Sequence, residues 1–281
     1  YYDESAARQS TEEFGKGLSD FANNHPEVSF TLFVADISEC SLLNPAVKLS
    51  SSHFTTEESL SILNATLAQN ANISIHSVLY DNLEDYYSNY YTTDHHWNGS
   101  GAMDAYNTYC SEPNDSFESV LGLSSIKTNG SNSREGLMLL NEPACEPNLG
   151  ITSMTIEGVT PPFATLPDGA WAIMNKQPEA AEFDFYHTWY GPSDKCRISS
   201  YGDGRALVVC DSFGSAMQWL IANDHESTLV LYDMHVQKNG DAHLADTILA
   251  ESIDHVYFIS HAGGYAGFIS RFPYYFHIQG T

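Results

Sequence analysis

ALVVCDSFGSAMQWL, Ala206 to Leu220, changes character at its midpoint. Ala206 to Val209 form an apolar, partly β-branched run, as expected of a strand buried in a parallel sheet, while Met217, Leu220 and Ile221 fall on one face of a helix over Gly214 to Ala222. Between them Asp211, Ser212 and Phe213 read as a strand-to-helix turn. A serine at such a turn lies near the new helix's N-terminus, where backbone N–H groups can receive an oxyanion. Serine alone is a poor nucleophile and needs a base within hydrogen-bond reach. The alternative is that Ser212 is a plain N-cap, and an Asp-Ser dipeptide by itself does not separate the two.

The base is sought upstream, in YYTTDHHWNGSG, Tyr90 to Gly101. Asp94 and His96 stand two positions apart, so they meet only if the backbone turns or extends locally, which favours a loop. A carboxylate beside His96 would hold the tautomer and stabilise the imidazolium of a general base. The competing reading is a metal site. Adjacent histidines on a strand-like segment point to opposite sides, HExxH spacing is absent and the cysteines lack CxxC pairs, so neither a metal nor a cofactor is expected. Trp97 is expected to pack and fix the loop, and Asn98 to Cys110 to form a helix starting at Asn98 or Ser100.

The flanking chain has a βαβ rhythm. Ser10 to Asn24 reads as an amphipathic helix with a serine or threonine N-cap, Val28 to Ala35 as a core strand, and Asp36 to Phe54 as a loop carrying Cys40 and His53. A helix capped at Thr55 or Thr56 and a strand at Ile73 to Val78 follow. Beyond the nucleophile turn come strands at Thr228 to Asp233 and Asp254 to Ser260, with a helix over Ala242 to Ser252. The expectation is one α/β domain over residues 1–281, a parallel sheet with helices on both faces. Residues 111–180 form an insertion-rich region, with short elements at GLMLL (136–140) and TSMTIEG (152–158) and a β-rich excursion over 151–178.

Composition bounds partners. Eleven Lys and Arg against 36 Asp and Glu give a net charge of −25, so nucleic-acid phosphates and anionic membranes are poor partners. No stretch reaches the roughly 18 apolar residues of a membrane span. The chain begins without methionine, consistent with loss of a signal peptide or anchor and equally with a boundary cut from a longer sequence. Of five cysteines, Cys110 and Cys145 flank the insertion and are the first pair to expect, whereas Cys210 reads as a buried thiol. The tyrosine-rich LEDYYSNYY (83–91) either packs beneath the loop or stacks on sugar rings.

TDHHW followed by glycine and a helix, the aromatic segment FYHTWYG, LVVCDSFGSAMQWLI and a strand ending LVLYD together resemble the bacterial DHHW proteins. Those are similar to the SGNH-like (flavodoxin-like) alginate O-acetyltransferases, and the resemblance spans roughly Thr55 to Ile259. It implies a catalytic triad of Ser212, His96 and Asp94, with His95 as the intervening residue. It also implies an oxyanion contribution from the backbone N–H near Gly191, with Tyr190, His95, Asp233 and His235 among the oxyanion or substrate-binding residues. An ordinary strand and turn is the alternative for FDFYHTWYG, where His187 is read as structural. One departure stands out: those relatives show Asp-x-Arg after the strand, whereas this chain has Asp233, Met234 and His235. Histidine offers positive charge only when protonated.

The implied activity is serine-dependent acyl transfer: hydrolysis if water accepts the acyl group, O-acetylation if a sugar hydroxyl does. By resemblance the substrate is a glycan or acyl ester of the cell envelope or extracellular space. The alternative class is a catalytically degenerate glycan-binding module, and a third is an envelope interaction protein. Oligomeric state is left open.

Overall fold

The structure is a computed structural model, and it describes residues 3–48, 52–90, 95–97, 99–111, 121–124, 140–143, 153–156, 195–232 and 244–264. The chain forms two compact units, one of residues 1–77, 204–211 and 231–281, the other of 78–203 and 212–230.

The first unit is built on four parallel strands. Strand β1 (Ser29–Ala35) pairs with β2 (Ile73–His76) on one side and β9 (His255–His261) on the other, and β9 pairs with β7 (Arg205–Cys210), giving the order β2-β1-β9-β7. Strands β1, β7 and β9 are buried along nearly their whole length, the burial expected of parallel strands covered on both faces. Helices α1 (Glu4–Asn24) and α3 (Thr56–Leu67) pack on each other, and α3 also reaches β1 and β2. Phe14 of α1 meets Phe258 edge-to-face at 5.5 Å, and Phe21 meets Phe30 at 5.9 Å. Each such buried ring contributes about 1.5–3 kcal/mol. A short helix α2 (Pro45–Lys48) interrupts the loop after β1, and α7 (Leu244–Glu251) leads into β9. Before β7, Gly204 takes φ +74°, and a Cβ there would meet the Asp254 carboxylate, which accepts from the Arg205 N–H; only glycine suits both demands.

The second unit holds α4 (Leu83–Asn89), α5 (Gly99–Tyr109), α6 (Gly214–Asp224) and an antiparallel ribbon. Strand β8 (Ser227–Tyr232) pairs with β6 (Cys196–Ser199), and β6 with β5 (Ser153–Ile156), both antiparallel. A separate antiparallel pair joins β3 (Leu121–Ser124) and β4 (Leu140–Pro143). Helix α6 is buried from Gly214 to Ala222 and packs on α5 and β6.

The α/β class and the helix-strand alternation agree with the sequence reading; several boundaries do not. The first helix starts at Glu4, not Ser10. Asp3 is its N-cap, accepting from Ala6 N–H at 3.0 Å, while the hydroxyls of Ser10 and Thr11 bond back to the Ala7 carbonyl at 3.0 and 2.8 Å. Hydroxyls that bond back to the preceding turn do not end a helix. The β2 strand stops at His76; of the element expected at 136–140 only Leu140 is among the described residues, and it opens β4. The sheet is mostly parallel, as expected; the exceptions are β5, which falls in the β-rich excursion expected over 151–178, and β6, both of which pair antiparallel. The pairing of Cys110 with Cys145 is not made: Cys110 carries a free thiol whose acidity burial weakens, beside the Tyr106 hydroxyl, and Cys145 lies outside the described residues. Among the described residues no helix is long and apolar enough to cross a membrane.

Candidate active site

Strand β7 ends at Cys210, and helix α6 starts at Gly214, so the turn that carries Ser212 is three residues long. Its helix N-cap is Phe213, in αR geometry and without a side-chain capping bond. Ser212 is therefore not the cap. Its carbonyl accepts from Ser215 N–H at 3.2 Å, and its Oγ lies 2.5 Å from Nε2 of His96. Among the described residues the Ser212 N–H has no hydrogen-bond partner.

His96 is buried at 1% exposure. Its ring packs against Phe213 at 4.8 Å and against His95 at 4.0 Å, the two imidazoles inclined by 33°. The adjacent histidines are therefore side by side, contrary to the opposite orientations expected of a strand, because His95 and His96 sit in a bend. The bend is closed by an isolated antiparallel bridge between Tyr90 and Trp97. Trp97, 2% exposed, donates its Nε1–H to the Phe213 carbonyl at 3.0 Å and meets the Phe213 ring edge-on at 5.5 Å. One side chain thus ties the histidine bend to the serine turn, the fixing role expected of it. Behind the bend, Gly101 of α5 lies so close to α4 that a Cβ would fall 2.3 Å from the Asn89 carbonyl oxygen and 3.0 Å from the Trp97 Cβ. A residue without a side chain lets the helices bracket the loop.

A group that the sequence reading passed over is Asp211, the neighbour of Ser212 in the chain. Within the first unit its Oδ2 accepts from Ser260 Oγ at 2.8 Å, from the backbone N–H of His261 at 3.1 Å, and contacts Nδ1 of His261 at 2.8 Å. The Asp211 N–H also donates to the Ile259 carbonyl at 3.1 Å. The carboxylate pins the end of β7 to the end of β9. A polar residue closing each of two apolar strands, Asp211 after ALVVC and His261 after HVYFIS, was the available signal.

At the end of β1, Asp36 is 3% exposed and accepts from Thr56 Oγ1 at 2.5 Å. Burial pushes its carboxyl up to about 6, against the opposing pull of the Thr56 hydroxyl. Cys210 is fully buried, as expected. Of the remaining expected site residues, Asp94, Tyr190, Gly191, Asp233 and His235 lie outside the described residues, as does His187. Among the described residues no three His, Cys, Asp or Glu side chains converge as metal ligands.

No family model matches the sequence, and none of the curated proteins compared with it does. Solved structures do match. Bacillus cereus PatB1 aligns at 20% identity over 94% of this chain and 92% of its own, with a TM-score of 0.65, and PatB1 with a sulfonyl adduct aligns at 19% identity over 98% and 93%, with a TM-score of 0.69. A DHHW family protein from Eubacterium siraeum aligns at 16% identity over 94% and 88%, with a TM-score of 0.63. At these identities the likeness is one of fold. The chain thus has the α/β fold of PatB1 and of a DHHW family protein, the fold that TDHHW and VCDSFG led us to expect.

Proposed function

We propose that the protein is a serine-dependent acyltransferase or esterase acting on acylated glycans of the cell envelope or extracellular space. The observation that carries the reading is the 2.5 Å approach of Ser212 Oγ to His96 Nε2, in a turn where the serine hydroxyl is not used as a cap. Nucleophile and base within hydrogen-bond reach are the minimum that such chemistry needs. The fold-mate PatB1 is known with a sulfonyl adduct, and sulfonylation is the chemistry of an activated nucleophile.

Ser212 Oγ attacks the acyl carbonyl carbon and His96 Nε2 takes the hydroxyl proton. The tetrahedral oxyanion is held by the Ser212 N–H, with the Gly191 N–H as second donor. Collapse breaks the bond to the alcohol, which leaves with the proton from His96. An acceptor O–H then attacks the acyl-serine, His96 takes its proton, and collapse breaks the bond to Ser212 Oγ, to which His96 returns the proton, leaving the acyl group on the acceptor. In this scheme Asp94 orients His96, and Tyr190, His95, Asp233 and His235 line the substrate side. Burial of His96 favours a fixed imidazole over a solvated one. With water as acceptor the enzyme is an esterase, and with a sugar hydroxyl it is an O-acetyltransferase.

Hydrolysis of 4-nitrophenyl acetate by the wild type, Ser212→Ala and His96→Ala tests this. Each substitution is expected to lower kcat by about a thousandfold or more. Variants as active as the wild type would remove Ser212 and His96 from the chemistry.

A further inference from the structure

Among the described residues the exposed large apolar side chains are Leu42, Leu79, Leu83, Tyr87, Tyr201 and Leu249. Three of them, Leu79, Leu83 and Tyr87, lie in the stretch of chain that leads into the histidine bend. Leu83 and Tyr87, 45% and 51% exposed, are four residues apart in α4 and so share one helix face. Their neighbours behave differently. Tyr86 and Tyr90 are 6% and 3% exposed and stack at 4.2 Å with planes 8° apart. Tyr80 meets both edge-on at 6.3 and 6.2 Å and donates its hydroxyl to Asp104. Tyr87 rests edge-to-face on Tyr86 at 5.8 Å. The buried tyrosines are a fixed base, and Tyr90 joins that base to Trp97 through the bridge beside His96.

The charge around this face selects its ligand. Asp81, Glu84 and Asp85 are exposed beside it, and no Lys or Arg occurs between Lys48 and Lys127. These three carboxylates disfavour an anionic polymer. Two leucines and a tyrosine are also far less than the roughly 800 Å² per partner that a stable protein interface buries. A tyrosine ring presents a flat apolar surface to the C–H face of a pyranose, and Glu84, one helical turn from Tyr87, can accept from sugar hydroxyls.

We propose that the Leu83–Tyr87 face of α4 is a subsite for an uncharged glycan chain, with a sugar ring on Tyr87 and hydroxyls toward Glu84. This deepens the function proposed above, on which it rests for the identification of that glycan as the substrate. The test is calorimetric binding of cellohexaose, mannohexaose and chitohexaose, with hexagalacturonate as the anionic probe. It uses the wild type, Ser212→Ala, Tyr87→Ala, Tyr87→Trp and, as a control, Tyr201→Ala.

At least one uncharged hexasaccharide is expected to bind, with hexagalacturonate weaker by about tenfold or more, and Tyr87→Ala to lose about tenfold in affinity. Tyr87→Trp is expected to restore binding and Tyr201→Ala to match the wild type. The proposal is overturned if none of the uncharged sugars binds, if hexagalacturonate binds as tightly, or if Tyr87→Ala binds like the wild type with its melting temperature preserved. Sugar binding that depends on Tyr87 without ester turnover would retire the acyl-transfer reading and leave the subsite standing. Turnover with binding indifferent to Tyr87 would do the reverse.

Discussion

Asp36 shows how a single buried group records the cost of this architecture. Its carboxyl closes β1, is almost without solvent, and titrates near 6 because ionising it there means leaving water. A folded-state value above the unfolded one means that the native state binds the proton more tightly. The stabilisation this provides is complete below about pH 4 and is lost as pH rises through 6. Asp36→Asn keeps an acceptor for the Thr56 hydroxyl without the charge. Chemical denaturation should therefore find the variant more stable than the wild type at pH 8, by up to about 3 kcal/mol, with the gap closing toward pH 4. An unchanged difference across that range would show that Asp36 ionises as freely folded as unfolded. At the same scale, the approach of Ser212 to His96 was legible because each residue stands in a turn that the sequence marks, one after the apolar run ALVVC and one in DHHW. The contact of Asp211 with His261 was not legible, because it joins residues 50 positions apart through the register of β7 on β9.

At the scale of elements, the local signals were good where one residue decides and poor where packing does. Thr55 caps α3 as read, accepting from Glu58 N–H at 3.1 Å. Ser10 looked like a cap of the same kind but lies within a helix whose true start, at Asp3, is set by a carboxylate earlier in the chain. Helix α4 was passed over because LEDYYSNYY shows aromatic richness in place of clean periodicity, although its Asn82 cap, accepting from Asp85 N–H at 2.9 Å, was present as a cue. The bend at His95 and His96 depends on α4 and α5 approaching closely at Gly101. Gly101→Ala places a methyl against the Asn89 carbonyl oxygen, which cannot move without shifting the end of α4. The expected result is a loss of about 1–3 kcal/mol in stability, with a fall in ester turnover as the His96 bend shifts. Wild-type stability and turnover in Gly101→Ala would show that the approach is looser than described.

For the molecule as a whole, the α/β class was legible because buried strands read as continuous apolar runs: VSFTLFVA, ALVVC and TLVLYD each mark a core strand. Strand direction was not legible, since β6 and β5 carry the same kind of residues whichever way they run and only their antiparallel pairing with β8 and with each other sets it. The net charge of −25 separates this surface from anionic partners, which agrees with the acidic rim proposed around Tyr87. The central claim is that one serine among many is made nucleophilic by one histidine. The measurement that tests it most directly is peptide mass spectrometry after treatment with phenylmethylsulfonyl fluoride, on the wild type and on His96→Ala. A single sulfonyl group on the peptide carrying Ser212 in the wild type, and none in His96→Ala, is the predicted result; no label at Ser212, or the same label without His96, would contradict it.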